Sequence, residues 1–239
     1  MNIGYEGRSG QGAVRKRNED AYLMRVCKKA ALFLVADGMG GKKHGQEASR
    51  RIESGYSHWW EDRFLPLQEE TTFSQALDSL EAELLRVNAE IVAEFGRQSA
   101  GSTLVLLFLY HGKFAYLSAG DSRIYRSGLF SFRQITRDDT VENLQNRPAG
   151  ENGEKLVGAV GLREHLDYTE GTGDLRKFDS FLLCSDGIYR YVEPKVLRRL
   201  VLLGGKVMKP ERLIRKIEAA VQKNGAGDNY SMIYVKLRK

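Results

Sequence analysis

The chain has 239 residues, of which 42% are hydrophobic and 28% charged, with a net charge of +6. That is an ordinary balance for a globular protein, and the length buries a sizeable core without staples. Two cysteines, Cys27 and Cys184, exclude a disulfide framework or a zinc pattern and favour a reducing, cytoplasmic setting.

No apolar run reaches the roughly 18 residues of a membrane span. The N-terminal "MNIGYEGRSGQG" lacks the basic-then-apolar order of a signal peptide. Lys and Arg are scattered, apart from "RKR" at 15–17 and the C-terminal "KLRK". The basic balance therefore reads as a solvated surface, and neither a membrane nor a nucleic acid is expected as a partner.

In chain order, "DAYLMRV" and "AALFLVA" predict adjacent strands separated by the polar "CKK". Residues 45–62 predict a helix ending near Trp59 and Trp60. Residues 73–95 predict a stronger one, because Phe73, Ala76, Leu77, Leu80, Leu84, Val87, Ile91 and Phe95 recur at three- and four-residue steps. Thr71 or Thr72 is the candidate cap. The stretch from "STLVLLFLY" to "SFRQIT" predicts a strand meander punctuated by "HG", "GD" and "SG". Residues 138–163 are polar and irregular. "DSFLLCSDG" predicts a buried strand, in which Cys184 is a small buried hydrophobe. Residues 193–203 and 210–222 predict helices, with Pro194 and Pro210 in their first turns. "NYSMIYVKL" predicts a closing strand. Strands do not alternate one-for-one with helices, so antiparallel sheets with helices on their outer faces are expected, rather than a doubly wound parallel sheet.

Four aspartates share one context, the edge of a predicted strand. Asp20 opens "DAYLMRV", Asp37 ends "LFLVAD", Asp186 ends "FLLCSD", and Asp228 precedes the last strand. Glycine follows two of them, in "ADG" and "SDG", where it permits a sharp turn and a close carbonyl. Converging carboxylates repel one another unless cations intervene. An all-oxygen ligand set suits magnesium or manganese.

With "RKRNEDA" at 15–21, "VADGMGG" at 35–41, "GSTLV" at 101–105, "AGDSRIYR" at 119–126, "LLCSDGIYRYV" at 182–192 and "GDNYSMI" at 227–233, the chain resembles the metal-dependent serine/threonine protein phosphatases of type 2C in their compact bacterial form. The motifs run in the family's order along nearly the whole chain. The resemblance implies one catalytic domain over 1–239 of α+β class, a four-layer αββα sandwich of two antiparallel sheets flanked by helices. It implies hydrolysis of phosphoserine and phosphothreonine on proteins, with a serine/threonine kinase or its targets as partners. It implies two manganese or magnesium ions. Asp37 bridges them, Asp186 and Asp228 complete one site, and the Gly38 carbonyl completes the other, with Asp20 and Glu19 acting through bound water. Asp121, with Asp186, matches a third, weaker metal site. Arg15 matches the arginine that grips substrate phosphate, a task suited to a guanidinium fork.

The match departs from the family in two places. The family's histidine near the glycine loop is replaced by Met39 and Lys42, leaving Lys42 or His44 as the general-acid candidates. The Asp-His pair after the meander is Asp138-Asp139 here, and the following flap, about 138–162, is short. Three rival readings remain: a nucleotide-binding loop, a catalytically inactive regulatory or binding module, and a nucleic-acid binder. The first fails on spacing, because "GMGGKKHG" supplies neither G-x-x-x-x-G-K-[ST] nor G-x-G-x-x-G. The second is opposed by the presence of every expected carboxylate.

Overall fold

The computed structural model describes residues 1–39, 44–140 and 158–238. Their strands form two antiparallel sheets. The first sheet orders β1 (Ile3–Gly10), β11 (Tyr230–Leu237), β10 (Ser180–Cys184), β7 (Arg123–Ser127) and β8 (Phe132–Gln134). The second orders β2 (Asp20–Val26), β3 (Ala30–Met39), β5 (Leu104–Tyr110), β6 (Lys113–Ala119) and β9 (Thr169–Asp174), with the short β4 (Gly101–Ser102) paired to the end of β3.

The continuous apolar runs follow from burial on both strand faces. In β3, Ala31, Phe33 and Val35 face Val105, Leu107, Phe181, Leu183, Ile233 and Val235 in the core between the sheets. The alternate residues Leu32, Leu34 and Ala36 pack outward under the helices Gly45–His58 and Phe73–Phe95. In β10, Leu182 and Cys184 point outward under the helix Pro210–Lys223, against Leu213, Ile214, Ile217 and Val221. A period of two splits each run between two cores, giving helix, sheet, sheet and helix as layers. The expected four-layer α+β architecture is the one found.

The helix Phe73–Phe95 has the expected bounds and buries Ala76, Leu80, Leu84, Val87 and Ile91 along one face. Thr72 is its cap. Its hydroxyl accepts from the Gln75 backbone N–H, and the Gln75 side chain accepts from the Thr72 N–H. The helix predicted over 45–62 is α-helical only to His58. Trp59–Phe64 widens into a π-type turn that buries Trp59, Trp60 and Phe64 in one aromatic group with Phe108 and Tyr110. A similar widening, Leu200–Gly204, interrupts the predicted helix over 193–203.

Two strands escape the sequence pattern. In β1, "IGYEGRSG" has little apolar alternation, and it is held by pairing along its whole length with β11. In β9, "TEGTGD" pairs with β6 at the sheet edge. Its Gly171 and Gly173 leave room for the rings of Tyr116 and Phe114. A Cβ at either would lie 2.4 Å and 2.7 Å from those rings.

Candidate metal centre

The aspartates meet where the two sheets end together. Asp20 and Asp37 are cross-strand partners in the β2–β3 register. Asp186 opens the short helix Asp186–Tyr189 directly after β10, and Asp228 precedes β11, the neighbour of β10. Ser185 ties the sheets together. Its hydroxyl donates to Asp20 Oδ2 at 2.9 Å and accepts the Ser231 N–H at 2.9 Å. Asn229 ties in the N-terminal segment. Its amide donates to the carbonyls of Gln11 and Arg17, and its oxygen accepts the Glu19 N–H. Asp37 is anchored through its backbone, which exchanges hydrogen bonds with Thr103: Asp37 N–H to Thr103 Oγ1 at 3.1 Å, and Thr103 N–H to the Asp37 carbonyl at 2.9 Å.

The glycine after each of two aspartates serves close approach rather than turning. Gly38 lies within β3, where it pairs with Ser102. A Cβ on it would come 2.3 Å from the Gly45 carbonyl oxygen and 2.5 Å from that of Glu19. A Cβ on Gly187 would come 1.9 Å from the Asn229 carbonyl oxygen. Both glycines let backbone meet backbone next to a carboxylate. The sharp turn expected after Asp37 is not found at Gly38, because the strand continues to Met39.

Electrostatics place Asp37 at the middle of the group. Burial, then the charges of Asp20, Asp186, Asp121 and Asp228, push its carboxyl well above the usual range. Burial pushes Asp20 up to about 7, partly offset by hydrogen bonds to Ser231 and Ser185. Burial also raises Asp186, with Arg190 opposing and Asp121 and Asp228 adding to the rise. Asp121 is raised by burial, again opposed by Arg190. The buried Asp20 Oδ1 has no hydrogen-bond partner. Arg15 stands at the rim, its side chain about half exposed. It forks onto Asp228 through Nε at 2.6 Å and Nη2 at 2.7 Å. That hydrogen bond raises the guanidinium, with Asp37 and Asp186 adding to it.

Among the described residues, no three of these side chains close as a ready-made cation cage. Arginines take up carboxylate oxygens instead, Arg15 on Asp228 and Arg190 on Asp186 and Asp121. The chemistry of the set nonetheless fits divalent cations. It offers oxygen donors only, several mutually repelling carboxylates that are half-buried or buried, and one buried carboxylate oxygen left unpartnered. His44 precedes the helix Gly45–His58 and stacks on Phe95, with ring centroids 4.9 Å apart, and its Nδ1 is buried without a partner. Lys42 and residues 141–157 of the flap lie outside the described residues. Of the flap's described flanks, Asp138 binds Arg123, and Asp139 accepts the Gly120 N–H at 2.9 Å.

A family model, Protein phosphatase 2C, matches residues 10–221. The chain belongs to the protein phosphatase 2C family. The serine/threonine protein phosphatase PstP of Mycobacterium tuberculosis is 27% identical over 241 residues, covering 96% of this chain. The chain spans only 44% of that relative's length. Among solved structures, PppA, a key regulatory component of T6SS in Pseudomonas aeruginosa, superposes with a TM-score of 0.80 at 28% identity, over 98% of this chain and 97% of its own. The catalytic domain of PstP, solved in complex with 2 manganese ions, has a TM-score of 0.81 at 24% identity and covers 98% of each chain, a likeness of fold. No helix among the described residues is long and apolar enough to cross a membrane.

Within this protein phosphatase 2C frame, several contributors carried no role in the sequence reading. Ser185, Asn229 and Thr103 all sit inside the quoted motifs, beside or near an aspartate. Their polar type was the available signal. Which backbone groups they bind is set by segments as distant as Gln11 and Asn229.

Proposed function

We propose that the chain hydrolyses phosphoserine and phosphothreonine on proteins, using two divalent cations, manganese or magnesium. The observation that carries the reading is the convergence of Asp20, Asp121, Asp186 and Asp228 on the half-buried Asp37, with Arg15 at the rim. The manganese bound by the structurally similar PstP domain supports the choice of metal.

Asp37, Asp186 and Asp228, with the Gly38 carbonyl and Asp20 beside Glu19, are the residues that would hold these ions, Asp37 being the one that would be shared. Bound there, such ions supply an acidified water and neutralise charge on a phosphoryl group. The protein's own task is placement. Ser185 and Asn229 fix the carboxylates across the two sheets, so little reorganisation is left for the reaction. Arg15 has a planar fork already pointed at an acidic partner, Asp228. A phosphate dianion offers the same two-point geometry, and exchange of Asp228 for phosphate would seat the substrate at the rim. Phosphorylated proteins are the substrates, a serine/threonine kinase or its targets among them.

The test is phosphate release from a phosphothreonine peptide with manganese, with and without chelator, for the wild type and Asp186→Asn. Metal-dependent release by the wild type, reduced at least a hundredfold in the variant, is expected. Absence of release overturns the assignment in favour of an inactive binding module, and equal rates for the two proteins overturn the role given to Asp186.

A further inference from the structure

The residues around Asp121 do not fit the third, weaker metal ion that the resemblance implies. We infer that Arg190 is a built-in cation occupying the place of that ion between Asp186 and Asp121, so that the centre of this chain takes one ion fewer than three. The inference rests on the metal-dependent reading above and deepens it.

Asp121 and Asp186 are 65 positions apart in sequence, on the turn after β6 and on the helix after β10. Arg190 spans them. Its Nε lies 3.1 Å from Asp186 Oδ2, and its Nη2 lies 3.5 Å from Asp121 Oδ2. Asp121 Oδ2 also lies 3.3 Å from the Tyr189 hydroxyl, which donates at 3.0 Å to the Asp121 carbonyl as well. The Asp121 oxygen on this side therefore faces a guanidinium at ion-pair distance and shares the single Tyr189 O–H with the Asp121 carbonyl.

The donors are held in place. The Arg123 guanidinium lies 3.5 Å from the centre of the Tyr189 ring and is itself forked by Asp138 at 2.7–3.2 Å. Arg190 follows Asp186 by four residues, so one helical turn stacks acid before base, the favourable order. A guanidinium does not lose its proton, so this positive charge persists at every working pH. A divalent ion between the two carboxylates would lie against that fixed charge. Arg15 differs, because among the described residues its direct ion pair is with a single carboxylate, Asp228, at the rim.

Arg190 is thus a positioning residue. It pairs with Asp186 and Asp121 at once and so offsets the charge of both.

The experiment counts manganese ions per chain by equilibrium dialysis up to millimolar metal. It compares the wild type, Arg190→Ala, Arg190→Gln and the double variant Arg190→Ala/Asp121→Asn, each checked for folding by circular dichroism. Both single variants are expected to bind one more, weaker ion than the wild type, and the double variant is expected to return to the wild-type count. Arg190→Gln keeps most of the side-chain length, so it carries the test if the alanine variant is poorly folded. A merely structural arginine would not create a metal site on removal. Unchanged counts in the folded single variants, or a wild type that already saturates at three, overturn the inference. A wild type that binds fewer than two ions overturns the two-ion reading instead, while the gain of one ion on removing Arg190 is still read separately.

Discussion

Adding one methyl group at Gly38 perturbs the centre without touching a carboxylate. The backbone there is ordinary strand, so Gly38→Ala introduces no conformational strain of its own. Its Cβ, however, would lie 2.3 Å from the Gly45 carbonyl oxygen and 2.5 Å from that of Glu19. Both obstacles are backbone, and neither can rotate away. Reaching even a tight 3.0 Å contact requires a shift of about 0.7 Å between β3, the helix start and the segment leading into β2. That shift separates Asp37 from Asp20, its cross-strand partner. Overpacking of this kind costs about 1–3 kcal/mol, roughly 2–12 °C in melting temperature for a domain of this size. A displacement approaching 1 Å between catalytic groups costs up to about a hundredfold in rate. The assay is manganese-dependent phosphopeptide hydrolysis beside a thermal melt, with Gly112→Ala as the comparison. Gly112 has a φ of +73° and open space around it. Alanine there loses about 1–2 kcal/mol to left-handed strain and leaves turnover unchanged. A Gly38→Ala protein that keeps turnover within threefold of the wild type would refute the close-approach argument.

Two further outcomes are expected. Burial, and then Glu170, push the Glu81 carboxyl from its ordinary 4.5 up to about 7. The unfolded chain releases that proton near 4.5 and the folded chain keeps it to about 7, so stability falls as pH rises between those values. Glu81→Gln should therefore melt progressively higher than the wild type from pH 5 to pH 8, by a small margin because the side chain is largely solvated. Parallel melting curves would show the shift to be absent. Glu83 is almost fully buried and is held by Arg86 at 2.6 and 2.9 Å, with Arg63 farther off at 3.8 Å. Arg86→Ala leaves that carboxylate without its main partner and should cost about 3–5 kcal/mol in urea unfolding. Glu83→Gln in the same protein should recover most of the loss, and failure to do so would place the cost in packing rather than charge.

The helix Phe73–Phe95 and its Thr72 cap were legible because local pattern and tertiary burial agree there. The long apolar runs were equally legible as strands, since burial on both faces leaves no polar alternation to read. The π-type turn at Trp59–Phe64 was not legible. It forms because three large rings must reach Phe108 and Tyr110, a demand set by another strand. Strands β1 and β9 were missed for the matching reason, since their residues have weak intrinsic strand preference and are recruited by β11 and β6.

The site divides along the same line. By itself the sequence supplied the candidate groups: aspartates at strand edges, an arginine near the N-terminus, and a glycine directly after Asp37 and Asp186. These are properties of residue type and local context, which travel with the chain. Only the tertiary structure decided that Gly38 admits backbone contact rather than a turn, that Ser185 and Asn229 tie the two sheets at the centre, and that Arg190 lies between Asp186 and Asp121. Each of those depends on groups distant in sequence, 218 positions apart for Gln11 and Asn229, meeting in hydrogen bonds, ion pairs or backbone contact, and no local pattern encodes such a meeting.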